Sequence, residues 1–206
     1  DKISVAVAED FLPAFREIAA DFEEKTGVKV EAVFSSADHL VYRIKNGAPC
    51  DVFLSADEQR PDLLHKEGWT EGTFIYARSR TILWSGNKNF CKAAGWRDAL
   101  QNNSVGKISI ADPATVDGAA AKTALQKAGL WEALQGRLIT GQGVFPLFQG
   151  TGMQVFDAGF CTLPAVSGPG ERAGCHYEIQ EAPPVLLAGC ILKNAGNKIC
   201  AELFMA

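Results

Sequence analysis

The residues best placed for chemistry stand at the starts of expected helices. Ser35, Ser36 and Asp38 follow an apolar segment that ends at Phe34, and each is able to cap the helix striped by Leu40, Val41 and Ile44. Glu9 and Asp10 precede a second such helix, and Asp117-Gly118 opens a third. Bare backbone N–H groups collect at helix starts, so such places bind small ligands. Covalent chemistry is not indicated. The sequence holds no nucleophile motif, no Gly-rich phosphate loop and no zinc-hydrolase spacing. No cofactor is expected.

These helix starts need strands behind them. Ile3 to Ala8 is a small apolar strand, followed by Phe11, Phe15, Ile18 and Phe22 at helical spacing, with Asp10 as N-cap and Gly27 as the stop. Val28, Val30, Ala32 and Phe34 alternate with Lys29 and Glu31, as a second strand would. After the Ser36 helix, Asn46-Gly47 and Pro49 forbid its continuation, and Asp51 to Leu54 read as a buried strand. Phe74 to Trp84 is extended. Strands are expected again at Lys107–Ala111, Leu138–Thr140 and Ala158–Leu163, with a helix after Asp117. Val144–Gln149 is weakly helical, and Ser167–Gly174 is a loop. Tyr177 and Ile179 suggest an edge strand, Val185–Leu192 a central one, and Ile199, Leu203 and Phe204 a closing helix. The alternation predicts parallel sheets.

A length of 206 residues suits one large α/β domain or two small lobes. A net charge of -4 without a Lys/Arg cluster argues against nucleic acid as a partner. No apolar run approaches a membrane span. Six well-separated cysteines, none in a C-x-x-C pair, suit up to three disulfides in an oxidising compartment; buried free thiols are the other reading. No signal peptide is seen, which fits a cytosolic protein or a processed mature chain.

The order strand, capped helix, Phe-Ser-Ser-x-Asp-x-Leu, then Ile-x-x-Gly-Ala-Pro-x-Asp-Val-Phe-Leu-Ser-Ala-Asp over 44–57, with Ala-Asp-Pro at 111–113 and Gly-x-x-Ala-Lys-x-Ala-Leu-x-Lys-x-Gly at 118–129, resembles the periplasmic molybdate-binding proteins of ABC importers. The resemblance implies a two-lobed, type II periplasmic-binding-protein fold, each lobe a mainly parallel sheet flanked by helices. Lobe 1 would hold 1–77 and 184–206, lobe 2 would hold 78–183, and hinge crossings would lie near 76–80 and 182–184. It implies a monomeric periplasmic carrier that binds a small ligand between its lobes and hands it to an inner-membrane ABC permease, and that is not an enzyme. Periplasmic residence agrees with the disulfide reading.

The family grips its oxyanion with uncharged donors, namely two serine hydroxyls, backbone N–H groups and a tyrosine hydroxyl. Carried over by position, these fall on Asp10, on Ala37 beside Ser36, on Asp117, on Val144 and on Thr162. Glu9, Asp38 and His39 lie by the same edge. Two unit charges about 4 Å apart interact by roughly 4 kcal/mol at an effective dielectric near 20. A dianion beside Asp10 and Asp117 would therefore be opposed. The ligand set Glu9, Asp10, Ser36, Ala37, Asp117, Val144 and Thr162 then favours a metal cation, held by Asp10, Asp38, His39 and Asp117, or a cationic small molecule. A molybdate-type oxyanion is the alternative, and carboxylate acid–base chemistry by Asp10 with Asp117 is the form an enzyme on this scaffold would take. As the bland reading, Asp10 and Asp117 only cap helices.

Overall fold

The computed structural model describes residues 1–87, 89–102, 105–141, 156–166 and 174–206, the side chains of Asp10 and Pro13 excepted. The expected helix at 144–149 and nearly all of the loop at 167–174 lie outside the described residues. By its internal contacts the chain divides into two units, Asp1–Arg78 with Leu186–Ala206, and Ser79–Val185.

In the first unit the alternating apolar segments become β1 (Lys2–Ala8) and β2 (Lys29–Ser35), with α1 (Leu12–Thr26) between them. β1 pairs in parallel with β2, Val5 opposite Ala32, and with β3 (Val52–Leu54), Val5 opposite Val52. α2 (Ala37–Lys45) and α3 (Gln59–Lys66) follow β2 and β3. Gly27 closes α1 with φ of 71°, a left-handed conformation that glycine adopts without strain. The sheet order is β2-β1-β3-β10-β4, with β4 at Phe74–Ser79 and β10 at Val185–Ile191. β10 is central, as its apolar run predicts, but it runs antiparallel to β3. The expectation of parallel sheets is corrected here: β10 is preceded by Pro183-Pro184 and not by a crossover helix, so nothing forces it to run with β3.

The core on one face of this sheet contains Leu40, Val41 and Ile44 of α2, Phe53, Leu64 and Cys190. The closing helix α7 (Lys198–Phe204) turns Cys200 and Ala201 inward and packs Phe204 edge-on against Phe22. Ile199 and Leu203, the expected apolar stripe, are 80% and 50% exposed. Asp51, within the 44–57 stretch, is a fold staple. Its buried carboxylate accepts from the N–H groups of Ser4 at 2.7 Å and Gly196 at 2.6 Å, tying the start of β1 to the turn before α7.

The extended stretch 74–84 divides at Arg80, and its second half, β5 (Thr81–Ser85), belongs to the second unit's sheet. That sheet has the order β7-β6-β8-β5-β9, with β6 at Ile108–Ala111, β7 at Leu138–Gly141, β8 at Ala158–Thr162 and β9 at Cys175–Glu178. β6 is parallel to β7 and β8, whereas β5 is antiparallel to β8 and β9, so this sheet too is mixed. β9 is an edge strand, as read from Tyr177. α4 (Trp96–Gln101), α5 (Val116–Lys127) and α6 (Trp131–Leu134) complete the described helices. Leu83, Phe160, Ile108 and Ile110 pack with Ala121, Ala124 and Leu125 of α5.

The cysteines divide between the two readings. Cys91 and Cys175 form a disulfide, and Cys50, Cys161, Cys190 and Cys200 are free. Three disulfides are excluded because the free thiols serve as small apolar core residues, Cys161 beside Ile82 and Val166, Cys190 beside Phe53 and Leu64. Burial pushes the Cys50 and Cys190 thiols up to about 12, and both are therefore inert as nucleophiles.

Candidate functional site

In the first unit the parallel strands β1, β2 and β3 end together, with Ala8 opposite Ser35 and Val7 opposite Leu54. The loops that leave this edge carry the sequence candidates. Glu9 is exposed and starts a single 3-10 turn, Glu9–Phe11. α1 then begins at Leu12 with Phe11 in the N-cap position, so Asp10 sits inside the turn and is not the cap the sequence predicts. Ser36 is the cap of α2. Its Oγ accepts from the N–H of His39 at 3.4 Å, while Ala37 is the first helical residue. The His39 ring is held by Ser35, with Oγ to Nδ1 at 2.8 Å, and stacks on Tyr42.

Asp38 has a strong partner that sequence reasoning missed. Arg60, on α3, donates from Nε and Nη2 to the two oxygens of Asp38 at 3.0 and 3.1 Å. Its Nη1 reaches Asp57 at 2.7 Å, and its backbone N–H donates to the other Asp57 oxygen at 3.0 Å. Asp57 is buried, as is Ser55, whose carbonyl accepts from the Tyr76 hydroxyl at 2.8 Å. One guanidinium thus joins the first turn of α2 to the β3–α3 turn. The paired carboxylates, Asp38 above all, hold the Arg60 pKa above its ordinary value. The i, i+3 spacing of Asp57 and Arg60 was the available signal; the fork to Asp38, 22 residues away, has no local one.

In the second unit the matching edge is formed by β6 and β8. Thr115 caps α5, its Oγ1 accepting from Gly118 N at 3.2 Å and donating to the Asp112 carbonyl at 2.7 Å. Asp117 is accordingly a first-turn residue and not the cap. It is half-buried and lies near the Cys161 thiol, which burial, and then the Asp117 charge, push well above its ordinary value. Thr162 ends β8 and is buried. Gly118 is required: a Cβ there would fall on the Asp112 carbonyl and lie 2.5 Å from the Ala111 oxygen. Its absence lets α5 start hard against the end of β6. Val144 and the side chain of Asp10 lie outside the described residues.

Among the described residues, no three His, Cys, Asp or Glu side chains gather as metal ligands. Arg80, just before β5, is paired with Glu178 on β9 at 2.7 Å. Within each unit, parallel strands end under the N-terminus of a capped helix, which supplies N–H groups, hydroxyls and the positive end of a helix dipole.

A family model described as bacterial extracellular solute-binding protein matches residues 3–206. The chain belongs to this family. The molybdate-binding protein ModA of Azotobacter vinelandii is 36% identical to this solute-binding protein over 176 residues, covering 84% of this chain and 69% of the relative. ModA of Rhodobacter capsulatus is 29% identical over 209 residues, covering 99% and 81%. The solved periplasmic molybdate-binding protein of Azotobacter vinelandii superposes with a TM-score of 0.85 at 28% identity, covering 98% of this chain and 90% of that one. These relatives are solute-binding proteins and not enzymes.

Proposed function

We propose that this solute-binding protein is the periplasmic, monomeric carrier of an ABC importer and that its ligand is a tetrahedral oxyanion of the molybdate type. The observation that carries the reading is the bidentate capture of Asp38 by Arg60. Of the four residues read as a cation site, Asp38 has both oxygens held by Arg60, which it shares with Asp57, and His39 has its Nδ1 engaged by Ser35. The start of α2 is left with neutral donors, and Ser36, Ala37 and the first-turn N–H groups suit an anion. Thr162, in the place of the family's tyrosine, offers a hydroxyl at the end of β8. Similarity to ModA points the same way, and the disulfide is in keeping with an oxidising compartment.

A second reading is favoured by Asp117. A half-buried carboxylate in the first turn of α5 opposes a bare dianion and suits a metal cation or an amine. A thermal-shift titration of metal-stripped protein separates the two, with molybdate, tungstate and sulfate in one arm and divalent metals and polyamines in the other. A ligand at 100 times its Kd should stabilise by about 2.7 kcal/mol. Stabilisation by molybdate or tungstate is the expected result. Stabilisation by cations alone would overturn the oxyanion reading in favour of the second.

A further inference from the structure

Thr81 opens β5 and is 4% exposed, yet its Oγ1 has no hydrogen-bond partner among the described residues. Buried hydroxyls are nearly always paired, and one that is not calls for a reason. Its surroundings supply one. Thr81 lies directly opposite Thr162 in the β5–β8 ladder, and Leu83 lies opposite Phe160. Leu83 and Phe160 pack against Ala121, Ala124 and Leu125 of α5. Side chains two residues apart on a strand share a face, so Thr81 and Thr162 also point to the α5 side. Their level along the sheet follows from the register of the neighbouring pair. β6 and β8 run parallel with Ser109 opposite Gly159, which puts Thr162 level with Asp112. The carbonyl of Asp112 is the group against which Gly118 of α5 rests. The two threonines therefore lie beneath the first turn of α5, at the positive end of a helix of 12 residues.

We infer that Thr81 is a ligand-binding residue whose hydroxyl, beside Thr162 and the N-terminus of α5, donates to an oxygen of the bound oxyanion. The inference rests on the oxyanion reading of function. A threonine hydroxyl is a neutral donor that rotates to suit its acceptor, and shielding from water strengthens its bond to a charged oxygen. It adds a donor on a strand where neither the motifs nor the family's pattern places one.

The test is a pair of substitutions, Thr81→Val and Thr81→Ser, examined by calorimetric titration with sodium molybdate, tungstate and sulfate and by melting without ligand. Valine keeps the shape and removes the hydroxyl. We expect ligand-free Thr81→Val to melt at or above the wild-type temperature, because no partner among the described residues is lost, while its Kd for molybdate rises tenfold or more. Thr81→Ser should stay within threefold of wild type. A molybdate Kd unchanged within twofold in Thr81→Val overturns the inference. So does a lower ligand-free melting temperature, which would mean that the hydroxyl is bonded within the fold. If wild-type protein takes up none of the three anions, the oxyanion reading fails. The inference then falls with that reading, whereas tight molybdate binding by wild type with an unchanged Kd in Thr81→Val overturns the inference alone.

Discussion

Replacing Arg60 by leucine removes the cation that Asp38 and Asp57 share. The side chains of Arg60 and Asp57 are 22% and 9% exposed, whereas that of Asp38 is 78% exposed, so the two arms are not equal. The exposed arm to Asp38 is worth about 0.2–1 kcal/mol. Stranding a buried charge costs about 3–5 kcal/mol when nothing compensates. Here the N–H of residue 60 still donates to Asp57 at 3.0 Å, which lowers the expected loss to about 2–4 kcal/mol. Urea denaturation measures it, and for a unit of this size Tm should fall by roughly 10–20 °C. The cycle is closed by Asp57→Asn. In the Arg60→Leu background it should recover part of the loss, since no charge then remains to strand. Arg60→Lys should fall between, because it keeps the charge and loses the fork. A loss below about 0.5 kcal/mol for Arg60→Leu, the range of an ordinary surface change, or Asp38→Asn as damaging as Arg60→Leu, would contradict a buried, shared charge at Asp57.

Three other outcomes are expected. A thiol assay on denatured, unreduced protein should count four thiols, and Cys91→Ala with Cys175→Ala should cost about 2–5 kcal/mol in chemical denaturation, given a closed loop spanning 84 positions; a count of six would refute the bond. Gly118→Ala, which in an open helix would stabilise by about 1 kcal/mol, should instead destabilise by about 1–3 kcal/mol and weaken molybdate binding in a titration, because its Cβ meets backbone that cannot rotate away. Glu181 is held below the usual carboxylate range by a backbone N–H, by Arg97 and by Trp96. Its folded pKa is lowered, so its contribution is present above the unfolded value near 4.5 and lost as pH falls through the folded one. The Tm gap between wild type and Glu181→Gln should accordingly narrow on acidification; a gap independent of pH from 6 to 3 would contradict this.

Periodicity and punctuation made most elements legible. Alternation at 28–34 gave β2, Gly27 gave the end of α1, Ser36 gave the α2 cap, and the run from Val185 gave a central strand. What failed depended on partners distant in sequence. The direction of β10 is set by its place beside β3, which leaves no local trace. The Asp10 and Asp117 caps were misplaced by one and two residues because Phe11 and Thr115 take the position. Disulfide pairing needs two Cα atoms at bridging distance, here 5.6 Å for Cys91 and Cys175, and spacing in the chain cannot report that. Among the candidate residues of each unit, Ser36 and Thr162 were named from the sequence, but Arg60 and Thr81 were not. Arg60 acts through a fork across 22 residues, and Thr81 is marked only by burial without a partner.

These two omissions bear on the sign of the ligand's charge. Counting carboxylates by position assumes that each carries its full charge to the ligand, and that assumption is what made a cation look favoured. Asp38 departs from this, because a bidentate guanidinium holds both its oxygens and screens its field at close range, although Asp57 shares the same cation and the three side chains together keep one negative charge. Asp117 is the carboxylate on which the cation reading still depends in the described structure. Its setting differs from that of Asp38: it stands in the first turn of α5, where the helix dipole stabilises a negative charge, beside a thiol that burial keeps protonated. Asp117→Asn therefore separates the readings more sharply than any other single change. If the ligand is an oxyanion, neutralising Asp117 should tighten molybdate binding, by up to roughly a thousandfold for a repulsion of about 4 kcal/mol. If the ligand is a cation, the same substitution should abolish binding of whichever metal or amine the wild type takes up.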